Sequence, residues 1–207
     1  MRLQRTASHL HQINEQYGGK RAWLSAHAYH LMDKLCFLPS SLTKAQLSTS
    51  KRLVFVCQGN ICRSPYGEAR ARQLGISSTS FGLSADNGKK ANPSATEVAR
   101  QRGVVLENHS ATHFSKFSFE ADDLVLTFEP RQLVELVTSD RLPDQVAVDL
   151  LGRWCSPSFP YLHDPYGLSE AYFHNCFNRI DQALMRLLPF VPSSATFCIE
   201  TPHHSDR

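Results

Sequence analysis

The chain has 207 residues, 42% of them hydrophobic and 20% charged, with a net charge of +3, enough for one domain of about 150 residues plus extensions and too little for two. Its 22 basic residues are scattered and form no stripe, which argues against a nucleic-acid partner. No apolar run approaches the roughly 20 residues of a membrane-spanning helix, no secretion signal opens the chain, and the six cysteines lack a disulfide-scaffold spacing; a cytoplasmic protein without membrane insertion is expected.

Residues 1–50 read as a partly helical N-terminal extension. Within it, 22–38 places Leu24, Ala28, Leu31, Leu35 and Leu38 at helical spacing, as for one apolar face, before Pro39 stops the helix. The opposite face is not notably basic, so a helix packed on the domain, or a poorly ordered arm, is a better reading than a membrane-surface or partner-binding helix. His9, His11, His27 and His30 lack convergent carboxylates and read as surface histidines, with no metal implied.

From residue 51 strand and helix patterns alternate. Strands are predicted at 53–56, 77–83, 124–128 and 146–151, and helices at 65–74, 93–102, 130–138 and 169–188. The last helix carries Phe173, Cys176, Phe177, Ile180, Leu184 and Leu187 along one face. This alternation predicts a single three-layer α/β domain over 51–190, with a four-stranded parallel sheet covered by helices on both faces. Residues 191–207 read as a C-terminal tail. Ligands of such sheets bind beyond the carboxyl ends of the strands.

That is where the chemistry-bearing residues lie. The run Leu53-Val54-Phe55-Val56-Cys57-Gln58-Gly59-Asn60-Ile61-Cys62-Arg63-Ser64-Pro65 delivers a cysteine from a strand into a short loop, then an arginine, then a helix start with Ser64 as N-cap and Pro65 at the first helical position. A helix N-terminus attracts anions, and such a setting lowers a cysteine pKa from about 8.5 to roughly 3.5–7.5, making Cys57 a candidate nucleophile. Arg63 can grip two phosphoryl oxygens with its planar fork. Gly59 gives the loop freedom to curl close to an anion, and Asn60 tolerates a left-handed conformation while bracing the loop.

This string resembles the signature loop of the low-molecular-weight protein-tyrosine-phosphatase family, with Glu68 fitting its continuation. His163-Asp164-Pro165-Tyr166-Gly167 is similar to the family's general-acid loop. The resemblance implies phosphotyrosine hydrolysis through a cysteinyl-phosphate, with Cys57, Arg63 and Asp164 catalytic and Gln58, Gly59, Asn60, Ile61, Cys62 and Ser64 around the phosphate. It further implies that Ser64 hydrogen-bonds the thiolate, that Tyr166 walls the pocket, and that Cys62 is a reversible disulfide partner of Cys57. No cofactor is implied. Asp86 or Asn87 stands where the family usually has an aromatic or bulky apolar second wall, which leaves the substrate side chain open. Three alternatives share the loop: a protein arginine phosphatase, disfavoured by Ile61; an arsenate reductase, disfavoured because only Cys155 lies between Cys62 and the Asp164 loop; and a non-catalytic phosphate-binding module, disfavoured by the retention of Asp164. Around Gly82-Leu83 and Asp164-Pro165-Tyr166 the chain looks most like bacterial members, implying as partner a phosphotyrosine protein such as a bacterial tyrosine kinase of polysaccharide assembly.

Overall fold

The computed structural model describes residues 2–39, 42 and 44–192, and of residues 2–9, 44 and 45 the backbone alone. The elements in order are α1 (Arg2–Tyr17), α2 (Lys20–Lys34), α3 (Lys44–Thr49), β1 (Arg52–Cys57), α4 (Arg63–Gln73), β2 (Ser78–Gly82), α5 (Pro93–Gln101), β3 (Asp123–Thr127), α6 (Pro130–Val137), β4 (Ala147–Leu150) and α7 (Glu170–Leu187), with short 3-10 turns between some of them.

The strands form one sheet in the order β2-β1-β3-β4, all parallel. β1 and β3 occupy the middle, and Leu53 to Val56 and Leu124 to Leu126 are fully buried, as a sheet with both faces covered requires. Leu53, Phe55, Leu124 and Leu126 face the larger cluster with Tyr66, Val98, Phe173, Phe177 and Ile180. Val54, Val56 and Val125 face Leu136 and the aromatic group of Phe81, Phe114, Phe117 and Phe119. A bidentate pair, Arg52 Nε and Nη2 donating to Asp123 at 2.7 and 2.8 Å, fixes the start of β1 against β3. The single α/β domain with a parallel four-stranded sheet agrees with the alternation of sequence patterns.

Three details differ from the sequence expectation. α4 begins at Arg63 with Cys62 as its N-cap residue, so Ser64 lies inside the first turn and its hydroxyl is free for other work. α2 buries Ala22 and Ala26, not the leucine face, and Leu24, Leu31 and Leu35 are about 60% exposed (60, 58 and 57%). Small residues let the helix approach closely, and Tyr17, Tyr29, Phe159 and Tyr161 supply the apolar contact. Val191 is buried in the core and Leu188–Phe190 forms a 3-10 turn, so order continues past residue 190; the rest of the expected tail, from 193, lies outside the described residues, as does the side chain of His9. No described helix is long and apolar enough to cross a membrane.

Candidate active site

β1 ends at Cys57 in the middle of the sheet, and the chain turns at once into the loop 58–62 and then α4. The loop is seated on the end of β2: Leu83 N donates to Cys57 O (3.0 Å), Ser84 N to Gln58 O (2.9 Å) and Gln58 Nε2 to Ser84 Oγ (2.7 Å). Gly82 makes this seat fit. A Cβ there would fall 2.7 Å from Asn60 N and 2.8 Å from Gln58 O, both backbone atoms. At Gly59 a Cβ would meet only the Ile61 side chain at 3.5 Å, an ordinary contact, so at this loop the close backbone approach is made by Gly82.

Asn60 carries the loop's left-handed residue, φ +52°, a conformation that asparagine accepts more readily than other non-glycine residues. Its side chain is fully buried and fully used. Nδ2 donates to Ser64 Oγ and Ser80 Oγ, both at 2.8 Å, and Oδ1 accepts from Thr112 N at 2.8 Å. Its carbonyl accepts from His109 Nε2 at 2.7 Å. Because that partner is a carbonyl, Nε2 must carry the proton, and burial holds the His109 pKa below its ordinary value, favouring the neutral ring.

Ser64 Oγ lies 3.0 Å from Cys57 Sγ. Since the Ser64 oxygen already accepts from Asn60 Nδ2, its own proton is available to a Cys57 thiolate. Cys62 is 2% exposed and its pKa is raised, first by burial and then by the nearby Asp164 and Cys57 charges. Both cysteines are free thiols.

Arg63 is fully buried in the first turn of α4. Nη1 donates to Glu129 Oε1 (2.5 Å) and Leu162 O (2.7 Å), and the guanidinium sits over the Phe128 ring, 5.6 Å from its centroid. Nη2 is 3.0 Å from Asp164 Oδ2, near enough for an ion pair but outside hydrogen-bond geometry; it and Nε are buried donors that make no hydrogen bond. Burial disfavours the Arg63 charge, yet the Asp164 and Glu129 carboxylates outweigh it and raise the pKa, so the group stays charged. One edge of the guanidinium is therefore anchored and the opposite edge, Nε with Nη2, has two unspent protons.

Asp164 follows on a loop tied to the end of β3 by Leu162 N donating to Phe128 O at 2.8 Å. Its Oδ1 accepts from Tyr166 N at 3.3 Å, so it also serves as a turn residue. Tyr166 is 62% exposed. Asp86 is exposed and its carboxylate is engaged by Lys89 Nζ at 3.0 Å. That pairing raises the Lys89 pKa and offsets the negative charge expected of Asp86.

Glu129 and His109 were given no role by sequence, and Gly82 entered only through the resemblance around Gly82-Leu83. Glu129 had a weak signal: it is a carboxylate at the carboxyl end of the strand beside β1, where a buried arginine needs a counter-charge. It also shares a capping box with Gln132 at the start of α6. His109 had none, because it reaches Asn60 across 49 residues of chain.

A sequence model described as low molecular weight phosphotyrosine protein phosphatase matches residues 52–195. The low molecular weight protein-tyrosine-phosphatase Wzb of Salmonella typhi is 35% identical over 135 residues, covering 64% of this chain and 88% of that protein. Etp of Escherichia coli K12, with the same description, is 32% identical over 141 residues, covering 67% and 93%. Among solved structures, the Erwinia amylovora tyrosine phosphatase AmsI superposes with a TM-score of 0.58 at 28% identity, covering 69% of this chain and 93% of its own. A match that begins where β1 begins and runs past α7, with relatives covered over nearly their whole length, means that the chain belongs to the low molecular weight phosphotyrosine protein phosphatase family.

Proposed function

We propose that this phosphatase hydrolyses protein phosphotyrosine with Cys57 as nucleophile, Arg63 as phosphate clamp and Asp164 as general acid and base. The observation that carries the assignment is the half-spent guanidinium of Arg63. It is fully buried, pinned through Nη1 by Glu129 and Leu162, and its Nε and Nη2 protons are left for two oxygens of a phosphoryl group. Cys57 Sγ attacks phosphorus, and the bond from phosphorus to the phenolic oxygen breaks. The departing oxygen takes its proton from Asp164, which leaves phosphate on Cys57. Water then attacks phosphorus while giving a proton back to Asp164, and the Cys57 thiolate departs with Ser64 Oγ donating to it.

Tyr166, largely exposed two residues beyond Asp164, suits an aryl group, and Asp86, paired with Lys89, is the residue that the resemblance offers for the second wall. The resemblance around Gly82-Leu83 and Asp164-Pro165-Tyr166 supports, as partner, a bacterial tyrosine kinase of polysaccharide assembly in the cytoplasm. The test is hydrolysis of phosphotyrosine, phosphoarginine and phosphoserine peptides by wild type and Cys57→Ser. Metal-independent turnover of the phosphotyrosine peptide, abolished in Cys57→Ser, is expected; preference for phosphoarginine would reassign the substrate, and activity retained in Cys57→Ser would refute the nucleophile.

A further inference from the structure

The turn between α1 and α2 rests on the loop that carries Asp164. Gly18 in that turn has φ +81°, and a Cβ on it would come within 2.8 Å of His163 Cδ2 and Leu168 Cδ1 and 3.1 Å of Tyr172 Cε1. The bare backbone of the turn thus lies against the residue just before Asp164 and one just beyond the Asp164 turn. α2 adds a column of side chains. The Tyr29 ring stacks on Tyr161 (centroids 5.3 Å apart, 29° between planes), and the Tyr161 hydroxyl is hydrogen-bonded to His163 Nδ1 at 2.9 Å. Tyr172 Oη donates to the His163 carbonyl at 3.1 Å.

The hairpin is itself fastened to the domain. Asn175 Nδ2 donates to Glu15 O and Arg179 Nη2 to Gln16 O, each at 2.7 Å. The Arg179 guanidinium lies 3.7 Å from the Phe159 ring centroid and 5.6 Å from that of Tyr17. Asp164, by contrast, is tied by its own side chain, among the described residues, to Tyr166 N and Arg63 alone, and that side chain is 37% exposed. Where its carboxylate sits is therefore decided by the segment 161–168, and the Gly18 turn and Tyr29 of α2 pack on side chains of that segment. Both helices lie before residue 52, outside the stretch matched by the family.

We propose that the α1–α2 hairpin positions Asp164 for proton transfer, Gly18 and Tyr29 acting through His163 and Tyr161 as positioning residues. The proposal rests on the assignment of Asp164 as the general acid. A general acid works only within hydrogen-bond reach of the leaving oxygen, and a misplacement of about 1 Å costs up to about a hundredfold in rate. The burden falls on substrates whose leaving group needs the proton.

The experiment compares kcat/KM for phenyl phosphate, a poor leaving group, with that for dinitrophenyl phosphate, a good one, in the full chain. Tyr29→Ala and Gly18→Ala should lower kcat/KM for phenyl phosphate about tenfold and for dinitrophenyl phosphate less than about twofold. Inhibition by inorganic phosphate should be unchanged, and Tyr29→Phe, which keeps the stacked ring, should restore the wild-type ratio. Tyr161→Phe keeps the core volume and deletes only the hydroxyl on His163; it should shift the ratio in the same direction even if the other variants fold poorly. Equal losses on both phosphates in Tyr161→Phe and Tyr29→Ala, or no loss, would overturn the proposal. Asp164→Asn serves as the reference. If it discriminates between the leaving groups and the hairpin variants do not, the positioning role alone falls; if Asp164→Asn does not discriminate, the acid assignment falls and takes the positioning role with it.

Discussion

At the residue scale, the loop 57–63 works because few side chains have a single duty. Ser64 Oγ accepts from Asn60 and faces Cys57; Asn60 meets Ser64, Ser80 and Thr112; Glu129 neutralises Arg63 and caps α6. The types and order of Cys57, Asn60, Arg63 and Ser64 were legible, because phosphate chemistry demands them within one short loop. The N-cap reading of Ser64 was not correct, since capping rules see only the helix and not the thiol that competes for the hydroxyl. His109 provides a pH test. Burial lowers its folded pKa below its unfolded value of 6.5, and burial lowers His163 likewise. As pH falls through 6.5 the unfolded chain takes up protons that the folded chain resists, so this contribution is complete above 6.5 and is lost towards the lower folded value. His109→Gln, which can still donate to Asn60 O, should make thermal stability less steeply dependent on pH as the pH falls below about 6.5. A slope as steep as in wild type would show that His109 is not a source of it.

At the element scale, the position of Cys57 follows from β1 lying between β2 and β3 in a parallel sheet, so that the loop after it opens at the carboxyl edge. The alternation of strand and helix patterns was enough to place it there. Less legible was the grip of β2 on the loop, because Gly82 looks like any strand-ending glycine until the backbone of Gln58 and Asn60 is seen against it. Gly82→Ala should displace the loop, costing about 2 kcal/mol of stability and weakening inhibition by inorganic phosphate, as measured by denaturant unfolding and competition kinetics. Unchanged values of both would mean that the loop has slack. The predicted leucine face of α2 failed for a related reason: helical spacing identifies a stripe, while the choice between Leu24 and Ala22 as the buried side depends on how near the partner backbone comes. On α7 the expected face is the buried one, because its long apolar side chains have a deep core to enter.

At the scale of the whole molecule, residues before β1 are bonded into the domain. Arg153 pairs with Asp33 of α2 at 2.6 Å and with Asp149 of β4 at 2.5 Å, joining the hairpin to the sheet edge. Asp33→Ala leaves Arg153 its second partner, so a loss of about 1 kcal/mol is expected, which is about 2–4 °C in the midpoint of one cooperative melting transition. No shift, or a separate early transition, would mean that the hairpin unfolds on its own. The sequence marked this region as a partly helical extension with a helix suited to packing on the domain, but not where it packs, since no local pattern reports a partner more than a hundred residues away. On the proposed mechanism phosphate passes through Cys57. The most direct measurement is rapid acid quenching of the enzyme during turnover of a phosphotyrosine peptide, followed by peptide mapping by mass spectrometry. Phosphate bound to Cys57, and absent from Cys57→Ser, is predicted; turnover with phosphate on another residue, or on none while Cys57→Ser remains active, would contradict it.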